Sequence, residues 1–172
     1  NGHHQLENAS VALAFSKIMY EENLNIDFKK INHAIKKTSW PGRLEIFNYN
    51  SKKIILDGSH NIDGAKKLYE FLKIQKIKPV VLFGMLNNKK INNFLKIIRL
   101  QIKSILAIKI PNESNAFDAK DIKDKCVSLS ISCNEVININ EALKIIKNSN
   151  NNSTFLVTGS LYLVGKIRNS FL

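Results

Sequence analysis

Residues 54–68 read IILDGSHNIDGAKKL and join two different sequence patterns. An apolar run at 54–56 ends in the cluster Asp-Gly-Ser-His-Asn at 57–61, and an amphipathic pattern with helical spacing follows from Ile62. The stretch therefore predicts a strand that passes directly into a helix. Two interpretations of the cluster stay open, a capped turn with nothing bound or a binding site, and five such residues are more than a cap requires.

The same alternation of short apolar runs and amphipathic stretches continues to the end of the chain. Alternating strands and helices predict an α/β fold with a mainly parallel sheet covered by helices on both faces. The first two runs follow each other closely, so we expect them to pair antiparallel at one edge. The predicted strands are 44–48, 53–57, 79–84, 104–110, 135–139 and 154–158, and the predicted helices are 62–75, 89–101, 118–127, 140–148 and 161–169.

The first 38 residues have a different pattern and predict two helices, at 5–22 and 27–37, with Asp27 as the N-cap of the second. A Trp-Pro-Gly-Arg loop at 40–43 interrupts the helical spacing, because proline disfavours helix for the residue before it and glycine favours a turn. We therefore predict a domain boundary at 38–42.

Composition excludes several classes of protein. The chain has 172 residues, 44% of them hydrophobic, and no apolar run approaches the ~20 residues of a membrane span. No secretory signal is visible, and the two cysteines show no metal-binding spacing, so we expect reduced thiols in a cytoplasmic protein. The net charge of +12 raises nucleic acid as a partner, but the lysines are spread over most predicted helices, which argues for a solvated surface instead.

Four polar clusters follow predicted strands or lie in the turns beyond them, at 57–61, 84–88, 111–115 and 158–160. In a parallel sheet the carboxyl ends of the strands meet at one edge, and ligands bind beyond that edge. The sequence therefore predicts that segments far apart in the chain converge on one site.

Individual residues of these segments suit particular ligand groups. Asp57 closes a strand, where a carboxylate can take ribose hydroxyls or a metal-bound water. His60 can donate a hydrogen bond or carry charge, and Ser160 opens a helix whose N-terminus suits an anionic group, although an N-cap serine is equally compatible. Arg43 presents a planar donor fork suited to phosphate, with a plain surface arginine as the alternative. Asn8 on the first helix can be a site amide or a solvent-facing one.

Taken together, the clusters resemble the C-terminal part of the folylpolyglutamate synthase/dihydrofolate synthase family, within the Mur ligase superfamily. The resemblance rests on five segments that occur in the family's order and cover nearly the whole chain. These segments are NGHHQLENASVALA, WPGRLE, ILDGSHNIDGAKKL, LFGMLNNK and LVTGSLYLVGKIR.

The resemblance implies an ATP-dependent ligase that joins L-glutamate to dihydropteroate or to folates. In such an enzyme a carboxylate of the pterin substrate attacks the γ-phosphate of ATP, and the glutamate amine then displaces phosphate from the acyl phosphate. It also implies that residues 1–39 end a central ATPase domain, that residues 40–172 form a Rossmann-like domain, and that ATP lies in the cleft between them. A monomer is expected, with no nucleic-acid or membrane partner.

Roles follow from the resemblance for five residues. Asn8 matches an asparagine that contacts the nucleotide near adenine, Arg43 the arginine placed near the ATP phosphates, and Asp57 the nucleotide-binding aspartate. His60 and Ser160 match positions that place the incoming glutamate. No metal ligand is assigned in this chain, because the family's Mg²⁺ ligands belong to an N-terminal part with a phosphate-binding P-loop.

Some features depart from the family or leave the function open. In the segment GMLNNKK, Asn88 and Lys90 stand where aspartates are common, and Ser59 and Ile62 replace alanine and proline. The chain begins without methionine and without a P-loop, so we expect it to be a piece of a longer protein that has no activity alone. The alternatives are another Mur-type ligase or a stand-alone nucleotide- or nucleic-acid-binding module.

Overall fold

The chain divides into two compact units, Asn1–Trp40 and Pro41–Leu172. The computed structural model describes residues 3–22, 24–25, 27–38 and 40–171. The division lies beside Pro41 and Gly42, one residue from the boundary predicted at 39/40.

The first unit contains two helices, α1 (His3–Glu21) and α2 (Phe28–Lys37). Asp27 is the N-cap of α2, as predicted, and its carboxylate accepts hydrogen bonds from the backbone N–H groups of Lys29 and Lys30. The rings of Tyr20 and Phe28 meet edge to face, with centroids 5.3 Å apart.

The second unit contains a six-stranded sheet in the order β1-β2-β6-β3-β4-β5. The edge pair β1–β2 is antiparallel and every other neighbouring pair is parallel, which confirms the predicted α/β class and the antiparallel edge. The strands are β1 (Glu45–Tyr49), β2 (Lys52–Leu56), β3 (Val80–Phe83), β4 (Ser104–Ala107), β5 (Cys133–Glu135) and β6 (Thr154–Thr158).

Five helices of the second unit cover the two faces of this sheet. They are α3 (Ile62–Ile74), α4 (Ile91–Ile98, continued by a 3-10 turn at Arg99–Gln101), α5 (Ala119–Ser128), α6 (Ile139–Asn148) and α7 (Leu161–Arg168). Alternate strand residues point to opposite faces, so each face has its own core. One core contains Ile55, Phe83 and Leu156 together with buried residues of α3, α4 and α5. The other core contains Ile54 and Val157 together with buried residues of α6 and α7.

The fifth strand is the one element that was misplaced. It was predicted at 135–139 but occupies Cys133–Glu135, and Asn138 already caps α6 by accepting a hydrogen bond from the N–H of Glu141. The alternating sequence at 135–139 resembled a strand, but the carboxylate of Glu141 also accepts a hydrogen bond from the N–H of Ile137. These reciprocal bonds are typical of a helix N-terminus and end the strand early.

Candidate active site at the carboxyl ends of the strands

The polar segments that follow β2, β6 and β3 lie side by side, as predicted. Because β6 runs between β2 and β3, its carboxyl end contacts both neighbours. The 84–88 segment also contacts the 111–115 segment. The joining bonds run from the N–H of Gly159 to the carbonyl of Ser59 (3.0 Å), from the N–H of Gly84 to the carbonyl of Thr158 (3.4 Å) and from the N–H of Asn87 to the carbonyl of Asn115 (2.8 Å).

Two glycines permit this close approach of backbones. Gly159 has φ +100°, and a Cβ placed there would lie 2.5 Å from the carbonyl oxygen of Gly84 and 2.8 Å from the ring of Phe83. A Cβ on Gly58 would lie 2.2 Å from Cδ2 of Leu161, the first residue of α7. The strand ends can therefore meet only because both positions lack a side chain.

Arg43 lies on a turn that is fixed on both sides by backbone hydrogen bonds. Gly42, with φ +71°, accepts a bond at its carbonyl from the N–H of Gly58 (2.8 Å). Leu44, with φ +47°, donates its N–H to Oδ2 of Asp57 (3.0 Å). Arg43 itself is exposed, and its guanidinium has no hydrogen bond or ion pair within the described part of the chain. A fixed turn thus presents a free cation at the strand ends.

Asp57 is buried, with 5% of its surface exposed, and both of its carboxylate oxygens accept backbone hydrogen bonds. Oδ2 accepts from Leu44, and Oδ1 accepts from the N–H of Ser59 (3.0 Å). The carboxylate therefore ties the Arg43 turn to the loop that follows β2. A carboxylate has lone pairs beyond these two, so the bonds do not exhaust its capacity to accept.

Asp57→Asn is expected to destabilise the fold by about 2 kcal/mol. An amide offers one acceptor oxygen, so either Leu44 or Ser59 keeps a buried N–H without a partner. Urea denaturation would measure the loss. Asp118→Asn is the matched control, because Asp118 is exposed and forms an ion pair with Lys109 that should contribute little. Equal stability of the two variants would contradict the structural role of Asp57.

A second anchor of the turn is an ion pair between Glu45 and Arg168, residues 123 positions apart in sequence. Nε of Arg168 lies 3.1 Å from Oε1 and 3.0 Å from Oε2 of Glu45, and Nη2 lies 2.8 Å from Oε1. Oε2 of Glu45 also accepts the N–H of Gly42 (2.9 Å). These bonds, first those from the Arg168 guanidinium and then that from Gly42, lower the pKa of Glu45, while partial burial opposes them.

His60 and Ser160 lie at the beginnings of α3 and α7, two of the helices that follow the carboxyl ends of the strands. Nδ1 of His60 donates to the carbonyl of Gly58 (3.0 Å), because a carbonyl can only accept. Nε2 is then the basic nitrogen of the neutral ring. Ser160 is 4% exposed, and its Oγ accepts the N–H of Tyr162 (3.1 Å) as the N-cap of α7. Asn61 likewise caps α3, since its Oδ1 accepts a hydrogen bond from the N–H of Gly64 (2.8 Å).

Further features bear on the other predictions made from the sequence. Asn8 is exposed on α1, in the other unit. An open pocket of about 510 Å³, lined by residues 109–114, 137 and 138, contains none of the five predicted site residues. Within the described ranges, no group of three His, Cys, Asp or Glu side chains could hold a metal ion. None of the described helices combines the length and apolar character needed to cross a membrane.

Sequence reasoning missed Glu45 and Arg168. Both lie in segments that carried the family resemblance, WPGRLE and LVTGSLYLVGKIR, but no role was assigned to either residue. A carboxylate two residues after Arg43 was visible as a local signal. Its partner was not, because only the packing of α7 beside β1 brings the two charges together.

The family model for the C-terminal domain of dihydrofolate synthetase matches residues 43–170. The chain belongs to this family. The dihydrofolate synthase/folylpolyglutamate synthase of Bacillus subtilis is 31% identical over 97% of the chain. The chain spans 39% of the length of that relative.

Solved structures of family members have the same fold. The folylpolyglutamate synthase of Thermotoga maritima is 29% identical, with a TM-score of 0.78 over 99% of this chain and 39% of its own. A bifunctional folylpolyglutamate synthase/dihydrofolate synthase, solved with Mn, AMPPNP and L-glutamate bound, is 20% identical, with a TM-score of 0.78 over 97% of this chain and 40% of its own. These likenesses confirm the α/β fold of the second unit.

Proposed function

We propose that this chain is the C-terminal part of an ATP-dependent ligase that joins L-glutamate to dihydropteroate, to folates, or to both. The observation that carries the proposal is the exposed guanidinium of Arg43, which has no hydrogen bond or ion pair to another described residue. A fixed turn holds it at the strand ends of a domain of this family. The names of the relatives supply the substrate class.

The two units correspond, in this proposal, to two domains of the ligase. Residues 1–39 are the helical end of a central ATPase domain, and residues 40–172 are the C-terminal domain. The P-loop and the ligands of Mg²⁺ are expected outside this chain.

ATP is the ligand that best suits the Arg43 turn. The planar guanidinium of arginine can donate two hydrogen bonds to a phosphate. The negative charge of the phosphate is also attracted to a cation that has no other partner among the described residues. Asp57 fixes the turn through Leu44 and, in this proposal, contacts the nucleotide through its remaining lone pairs. Asn8 contributes from the other domain, near the adenine.

His60 and Ser160 are proposed to place the glutamate substrate. With Nδ1 bonded to Gly58, Nε2 of His60 can accept an N–H from the amine of glutamate. The Oγ of Ser160 accepts from Tyr162, which leaves its O–H free to donate to a carboxylate. A carboxylate would also be favoured by the N-terminus of α7.

The reaction needs little covalent chemistry from these side chains. A substrate carboxylate attacks the γ-phosphate of ATP, which forms an acyl phosphate and releases ADP. The glutamate amine then attacks the carbonyl carbon of the acyl phosphate, and an amide forms as phosphate and a proton leave. Mg²⁺, when bound, offsets the charge of the phosphates. The residues of this chain orient ATP and glutamate, and such positioning supplies much of the rate. We propose that the ligase works as a cytoplasmic monomer.

The test is a ligase assay on the complete reading frame that encodes this chain, called the full-length protein below. With Mg²⁺ present, release of phosphate from ATP should require both L-glutamate and a pterin acceptor, and the glutamylated product should form in equal amount. Dihydropteroate and folates, offered separately, would identify the acceptor. The isolated 172-residue chain is the control and should show no turnover. Hydrolysis of ATP that does not require the pterin acceptor would refute the proposal. The absence of any ATP hydrolysis would refute it as well.

A further inference from the structure

The turn that presents Arg43 depends on a contact with the far end of the chain. The N–H of Gly42 points to Oε2 of Glu45, and that carboxylate is held at three short distances by Arg168. Both charged side chains are largely covered, with 22% of Glu45 and 28% of Arg168 exposed. Solvent screens the attraction between two partly buried charges less than it screens the attraction between two exposed ones.

We propose that Glu45 and Arg168 form a latch that orients Arg43 toward the nucleotide, so that both are positioning residues of the ligase. This inference rests on the proposed function. The latch is defined as the Glu45–Arg168 ion pair together with the bond from Gly42 to Glu45. Neither latch residue is proposed to touch a substrate.

The contacts around α7 show what the latch connects. Arg168 is the last residue of α7, and Ser160 caps the beginning of the same helix. In the middle of the helix, Val164 fills the space beside Gly42, where a Cβ would lie 2.8 Å from its Cγ1. The latch thus joins the phosphate-binding turn to the helix whose first turn is proposed to place glutamate. In this proposal the latch fixes the position of the ATP phosphates relative to that of the glutamate substrate.

A double-mutant cycle separates this role from a merely structural one. In the full-length protein, Glu45→Gln should raise the KM for ATP about five- to tenfold, because a displaced guanidinium loses its alignment with phosphate. Combined with Arg43→Ala, the same substitution should change the KM by less than about twofold, since there is no guanidinium left to orient. Arg168→Met should behave like Glu45→Gln, and Arg168→Lys should be intermediate because lysine lacks the fork.

The matched control is Glu135→Gln, which removes one charge from another carboxylate–cation pair, with Lys123 at 3.0 Å, on the edge strand β5. It should leave the KM for ATP unchanged. An equal effect of Glu45→Gln with and without Arg43 would overturn the latch, as would no effect at all. If Arg43→Ala leaves the KM for ATP unaltered, the phosphate-binding role in the proposed function fails instead.

Discussion

Gly159→Ala is expected to lower the free energy of unfolding by about 4 kcal/mol, the largest effect on stability that we expect from a single methyl group here. The backbone of Gly159 has φ +100°, which side chains other than glycine rarely adopt. The new Cβ would lie 2.5 Å from the carbonyl oxygen of Gly84, a backbone atom that cannot move without disturbing β3. Backbone strain and overpacking each cost about 1–3 kcal/mol.

Gly165→Ala is the matched control for this substitution. Gly165 lies inside α7, and a Cβ there meets no atom within 4 Å. Alanine favours helix over glycine, so this variant should gain about 0.5–1 kcal/mol. Denaturation by urea would compare the two. If Gly159→Ala were as stable as the unaltered protein, the close packing of the β6 and β3 ends would be wrong.

Arg43→Ala is expected to raise the KM of the full-length protein for ATP by about 10- to 100-fold. A hydrogen bond to a charged group contributes about 1.5–3 kcal/mol, and each 1.4 kcal/mol changes affinity about tenfold. The loss should not be recovered by another residue of the turn, since Gly42 and Leu44 offer no cation. Steady-state kinetics at saturating glutamate and pterin would measure it.

Two further variants decide whether the charge of Arg43 or the planar shape of its guanidinium accounts for the rise in the KM for ATP. Arg43→Lys keeps the charge without the planar fork, and its KM should lie between those of the unaltered protein and Arg43→Ala. Arg99→Ala removes the same charge from an exposed arginine near the amino end of β4, whereas the candidate site lies at the carboxyl ends of the strands. This variant should leave the KM for ATP unchanged. A similar rise in both alanine variants would indicate a general electrostatic effect and would contradict a specific contact by Arg43.

Periodicity in the sequence was enough for most of the fold. The alternation of apolar runs and amphipathic stretches predicted six strands and misplaced only the fifth, and the short connection between the first two predicted their antiparallel pairing. The error at 135–139 arose because apolar and polar residues alternate from Ile137 to Asn140, as they do in a strand. Val136 is buried and Ile137 is 86% exposed, but the capping bonds of Asn138 and Glu141 decide the local structure.

The candidate site was predictable in its location and only partly in its contacts. Polar clusters at strand ends indicated where Asp57, His60 and Ser160 would meet. That both oxygens of Asp57 bind backbone N–H groups could not be read from the sequence, because the bond to Leu44 depends on the path of a turn thirteen residues away. The pairing of Glu45 with Arg168 depends on the docking of α7. The role of Asn8 stays a prediction.

The central place of β6 in the sheet has a consequence for how the protein is made. Strands β2 and β3 both pair with β6 and do not pair with each other. The sheet therefore stays in two parts until the ribosome has released residues 154–158, about 100 residues after β2. Until then two incomplete sheets expose unpaired backbone groups, the kind of surface at which growing chains associate wrongly. The segments after β2 and β3 meet only through the segment after β6. The candidate site is thus among the last parts of the α/β unit to form, because its segments come together only after residues 154–158 have been synthesised.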